Sequence, residues 1–182
     1  DPCDILYRTF NRLDRGEGLS AFMSKIKRVV LVAPKSTGGN FEYVAIPRQG
    51  LLYLSKALEQ WKGPFLYERE VWYEDRSGNI DPDKDLQGAD ILMVTALINE
   101  APRAYEISRA ARALHPNLPI VGGGPHMGPL FEEALRYGQF DVIAAFAFLH
   151  HLDDTTIRAT LLAARRALRS GGVFYSTDPS RR

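Results

Sequence analysis

The 182 residues carry a net charge of +1, with 45% apolar and 25% charged side chains. That is an ordinary globular balance for one domain with a sizeable core, and it gives no electrostatic footprint for nucleic acid or a membrane surface, so neither is expected as a partner. No apolar run reaches the roughly 18 residues that span a bilayer, and the single cysteine, Cys3, excludes an internal disulfide and fits a reducing, cytoplasmic setting.

In chain order, "DILYRTFNRLD" (4–14) spaces Leu6, Phe10 and Leu13 as a helix does, and "LSAFMSK" reads as a second short helix. "RVVLVAP" (28–34) is a β-branched run of the kind buried in parallel sheets. A polar loop, "KSTGGNFEYVAI", leads to a helix opened by Pro47, with Leu51, Leu54, Leu58 and Trp61 on its core face. "FLYEREVWYE" (65–74) is strand-forming, "DRSGNIDPDKDLQGA" is a loop with one helical turn, and "DILMVTAL" (90–97) is a buried strand.

The next helix is capped by Asn99, has Pro102 in its first turn and stops before Pro116. "LPIVGG" (118–123) is a short strand, "GPLFEEALRYG" (128–138) a helix, and "FDVIAAFAF" (140–148) a strand. A long amphipathic helix with Ile157, Leu161, Ala164 and Leu168 on one face ends at Gly171, before a last strand, "VFYSTD" (173–178). This alternation predicts one doubly wound α/β domain: a three-layer sandwich with a mostly parallel sheet of five or six strands, flavodoxin-like or Rossmann-like, preceded by a helical extension over 1–27.

Ligands in such sheets bind beyond the carboxyl ends of the strands. Three stretches there carry candidate chemistry. In "VGGGPHMG" (121–128), Gly122, Gly123 and Gly124 let the backbone approach a ligand, or serve only close packing of helix on sheet. The spacing is neither a dinucleotide fingerprint nor a phosphate loop. In "APKSTGGNFEYVAIP" (33–47), Lys35, Ser36 and Thr37 can meet an anionic group.

The third stretch is "FLHHLDD" (148–154). Adjacent residues such as His150 and His151 diverge on a strand and on a helix, so they do not share one metal. Asp153 and Asp154 precede a helix and suit its N-terminus. Neither a metal site nor a nucleophile arrangement is expected.

Residues 28–143 resemble the cobalamin-binding domain that precedes the barrel of many radical S-adenosylmethionine enzymes. The resemblance rests on "RVVLVAP", "AIPRQGLLYLSKALEQ", the run from "GADILMVTAL" to "IVGGGPHMGPLFEEAL", and "YGQFDVI". Residues 140–179, with "FDVI", "LHHL" and "LRSGG", are similar to the late half of a class I S-adenosylmethionine-dependent methyltransferase. The first resemblance implies cobalamin contacts from Ser36, Thr37 and Gly38, from Thr95 and Ala96, and from Gly122, Gly123, Gly124 and His126. It implies no cobalt ligand, because the D-x-H-x-x-G motif of related carriers is missing.

The second resemblance lacks its own glycine-rich loop and any evident acidic residue after the second strand, so S-adenosylmethionine is not an expected cofactor. One cysteine cannot hold a radical enzyme's cluster. "FDVI" suits both families and marks a crossover. The first expectation is therefore an engineered chimeric scaffold of segments 28–143 and 144–182 without selected activity, in keeping with the missing initiator methionine and the end at "STDPSRR". A working corrinoid-binding module is the alternative, and a methyltransferase the third reading.

Overall fold

The computed structural model describes residues 26–37, 49–63, 65–146, 153–167 and 173–177. The expected helices of the first 25 residues lie outside that set, as do Gly38, His150 and His151. Six strands are formed: β1 (Ile26–Ala33), β2 (Leu66–Tyr73), β3 (Ile91–Thr95), β4 (Ile120–Gly123), β5 (Val142–Phe146) and β6 (Val173–Thr177). The helices are α1 (Gln49–Glu59), α2 (Glu74–Ser77), α3 (Pro82–Asp85), α4 (Ala101–Leu114), α5 (Gly124–Met127), α6 (Phe131–Tyr137) and α7 (Asp154–Ala167).

All strand pairs are parallel, and the sheet order is β2-β1-β3-β4-β5-β6. The first five follow the flavodoxin-like order, and β6 extends the sheet beyond β5. The direction of winding reverses at β1, which lies between β2 and β3. The expected doubly wound α/β architecture is thus the one observed.

The centre of the sheet is apolar on both faces because helices cover both. Val29, Val30, Leu31 and Val32 are fully buried, each worth roughly 1.5–3 kcal/mol of transfer free energy. Alternation sends Val29 and Leu31 to the face covered by α1, with Leu51, Leu54 and Leu58. Val30 and Val32 point to the other face, where Ala104, Ile107, Phe131, Ala134 and Ala164 arrive from α4, α6 and α7.

Several boundaries differ from the sequence reading. Trp61 lies beyond the end of α1. The helix expected over 128–138 is found as α6 but starts later, at Phe131, and a separate short helix, α5, closes at Met127 before it. On α7, Ile157 is half-buried and Ala164 is buried, whereas Leu161 is 46% exposed and so lies off the core face. The capping role of Asp153 holds: its carboxylate accepts from the Thr156 amide at 2.9 Å and the Thr156 hydroxyl at 2.8 Å.

Candidate functional site

The carboxyl ends of β1, β3 and β4 form the surface where a ligand of this fold would sit, and short contacts within it tie the loops together. Ser36 and Thr37 follow β1. The Thr37 amide donates to the Asn99 carbonyl at 2.9 Å, and the Asn99 side-chain amide donates to the Ser36 hydroxyl at 3.0 Å. Asn99, expected as a helix cap, instead joins the loops at the point where winding reverses. The N-cap position of α4 belongs to Glu100, which is buried and accepts from the Leu97 amide at 2.8 Å.

The glycine turn is locked to β3. The Ala96 amide donates to the Gly123 carbonyl at 3.2 Å, and the His126 amide donates to the Ala96 carbonyl at 3.1 Å. Gly124 has φ of +96°, and a Cβ there would lie 2.3 Å from the Thr95 hydroxyl. Only glycine suits that combination. A Cβ on Gly122 would come within 2.8 Å of Ile143 and 2.9 Å of the Met127 sulfur, so close packing of helix on sheet is what this residue serves. Gly123 has room for a methyl group, 3.4 Å from the nearest atom, the Ala144 carbonyl oxygen.

His126 is buried, with its imidazole turned toward α4 and α6. Its Nε2 lies 3.1 Å from the Tyr105 hydroxyl and 3.2 Å from Glu133 Oε1. Of the nine residues implied as cofactor contacts, Ser36 and Thr37 stand at the lip of β1 and Thr95, Ala96 and Gly122–Gly124 at the ends of β3 and β4. His126 lies under the turn, and Gly38 falls outside the described residues. Among the described residues, no group of three or more His, Cys, Asp or Glu side chains could hold a metal ion.

An acidic residue does stand at the end of the second strand. Glu74 follows β2 directly, and its side chain is fully buried. Its Oε1 accepts from the Ile80 amide at 2.9 Å and from Arg103 Nη2 at 2.8 Å, and its Oε2 accepts from the Lys35 amide at 3.1 Å and Arg103 Nε at 3.0 Å. The bond to this carboxylate is the largest influence holding the Arg103 guanidinium above its ordinary pKa. A carboxylate so filled is a brace between β1, β2 and α4, with no lone pair aimed at a ribose. The sequence signal was an acid closing a strand-forming run. Its partner, Arg103, is 29 positions away and was not legible.

At the opposite end of the sheet, an open groove of about 420 Å³ lies over Ala89, Asp90, His115 and Leu118. Two of its polar side chains are engaged elsewhere: His115 Nε2 with the Pro82 carbonyl at 2.8 Å, and Asp90 with Lys27 and the Arg28 amide.

No protein-family model matches the chain, and no curated protein matches it. Among solved structures, one match is RcsB from Salmonella enterica serovar Typhimurium, bound to promoter P1flhDC in the presence of phosphomimetic BeF3-. It is 14% identical, covers 78% of this chain and 60% of that one, and has a TM-score of 0.37. This chain therefore spans less than two thirds of that protein's length.

The expectation that nucleic acid is excluded as a partner is corrected by this finding. The matched protein was solved on promoter DNA, and a net charge near zero does not exclude such a partner. A likeness this weak does not show DNA binding here either. No helix among the described residues is long and apolar enough to cross a membrane.

Proposed function

We propose that the chain is a chimeric α/β scaffold, joined at β5 from a cobalamin-binding-type segment and a methyltransferase-type segment, with no catalytic centre of its own. The observation that carries this reading is the double pairing of β5. It bonds β4 through Val142–Ala144 on one side and β6 through Val142–Phe146 on the other, in unbroken parallel register. The stretch "FDVI", common to both resemblances, is the strand where the two patterns meet, and Ala164 of α7 enters the same core as Ile143.

The described residues fit each parent's ligand poorly. Gly122 and Gly124 are taken up by packing, and His126 faces the helices. Glu74 is saturated, and the sequence after β1 has no methyltransferase-type glycine loop. No step is assigned to either cofactor on this basis.

A second reading, a corrinoid-binding module, is favoured by one observation. Ser36, Thr37 and Asn99 place hydroxyl and amide groups together at the reversal between β1 and β3, where ligands of this architecture bind. Titrating the chain with hydroxocobalamin, S-adenosylmethionine and S-adenosylhomocysteine separates the readings. The scaffold reading expects no visible spectral shift and no change in melting temperature with any of the three. A saturable corrinoid spectrum with co-elution on gel filtration overturns it in favour of the module. Saturable S-adenosylmethionine binding overturns it in favour of a methyltransferase.

A further inference from the structure

The connections from β3 to β4, β5 and β6 all step the same way across the sheet, so right-handed crossovers place α4, α6 and α7 on one face. The step from β1 to β2 runs the other way and sets α1 on the opposite face. Among the described residues, the helical side chains in the core of that face are Leu51, Leu54 and Leu58, all from α1. Their cluster reaches Val121 of β4 and stops there. Val142 of β5 is the register partner of Val121, so it lies on the same face. It is nonetheless only 7% exposed, while Ala144, two residues on, is half-buried.

A buried valine needs an apolar neighbour on its own side of the sheet, and few segments of the chain can supply one. Residues 147–152, 168–172 and 178–182 are each shorter than two helical turns. Residues 38–48 run from β1 to α1, and Gly38, Gly39 and Pro47 mark them as a loop, whose backbone polar groups belong at a surface. Residues 1–25 lead directly into Ile26, the first residue of β1, and β4 is two strands from β1. In them Leu6, Phe10 and Leu13 recur at helical spacing, and Arg8 falls on the opposite side. A helix over 4–14 is about 16 Å long, the length of the five-residue strand β5 at about 3.3 Å per residue.

We infer that residues 4–25 dock on the face of β4 and β5 that α1 leaves open, with Leu6, Phe10 and Leu13 against Val121 and Val142. The other face is already filled by α4, α6 and α7, and the space over β1 and β2 by α1, so this half-face is the place left for a further apolar layer. The segment then acts as a built-in cover, continuing the layer of α1 toward β5. Val121, Gly123, Val142 and Ala144 offer it no charged group, which suits an apolar stripe rather than an ionic contact.

Nuclear Overhauser contacts in the full chain, with valine methyl groups labelled, test this. Ring protons of Phe10 are expected to contact the methyl groups of Val121 and Val142 at every protein concentration. No such contact, contact with rings of another segment instead, or contact found only between differently labelled copies overturns the assignment. Hydrogen–deuterium exchange gives a second readout. Phe10→Asp is expected to lower protection of the Val121–Gly123 and Val142–Ala144 amides by about tenfold, while α4 keeps its own. Arg8→Asp, on the far side of the same helical turn, is expected to leave both unchanged. Equal loss in the two variants, or no loss in Phe10→Asp, overturns the proposal. The methyl contacts are read on the unaltered chain and decide the matter even where Phe10→Asp unfolds.

Discussion

Gly124 and Arg103 are the residues whose neighbours decide most. Gly124→Ala meets both a positive φ and the Thr95 hydroxyl, and should cost about 2 kcal/mol or more. Gly123→Ala, one position earlier and with space for the methyl group, should stay within about 0.5 kcal/mol. Urea unfolding of the two variants side by side checks the order, and equal costs would refute the packing account of the turn. Arg103→Ala leaves the Glu74 carboxylate buried beside two backbone amides and no cation, a loss of about 3–5 kcal/mol in the same measurement. In the sequence, "GGGPH" was visible as a special turn, but its meaning was ambiguous. Whether a glycine faces a ligand or a neighbouring side chain depends on Thr95 and Ile143, which the chain brings in from far away.

Among the elements, α7 shows how local chemistry sets a boundary. Asp153 bonds the first turn, and the Thr156 amide is the largest of the influences that depress its carboxyl pKa. Because the folded pKa lies below the unfolded one, this contact is present above the unfolded carboxylate pKa and is lost as pH falls through the folded value. Asp153→Ala should therefore lower amide protection in α7 at neutral pH and remove that part of its acid sensitivity. Unaltered protection in the variant would show that the cap contributes nothing. The cap was legible because it acts within three residues. The short helix α5 and the start of α6 at Phe131 rather than 128 were not, since both Met127 and Phe131 are seated in one core.

For the whole molecule, the shared strand β5 implies cooperative unfolding. Trp61 and Trp72 report on the part before the seam, while α7 contributes helical signal after it. Tryptophan fluorescence and far-ultraviolet circular dichroism should give coincident urea transitions, as a two-state domain does. A separate, earlier dichroism transition would mean that the tail is only loosely joined. Ile143→Ala, at a fully buried position of β5, should lower stability by about 2–5 kcal/mol and shift both probes together.

The sequence by itself determined the alternation of strands and helices, the parallel character of the sheet and the capping of α7, because these depend on local pattern and on apolar faces of fixed period. The tertiary structure decided which polar groups are available. Glu74, His126 and Asn99 each lie within four residues of a strand's carboxyl end, as functional residues would. Their partners Arg103, Tyr105, Glu133, Ser36 and Thr37 lie between 7 and 63 positions away. Hydrogen bonding within the fold uses up side chains that the sequence alone presents as free, so only the folded contacts distinguish a brace from a site.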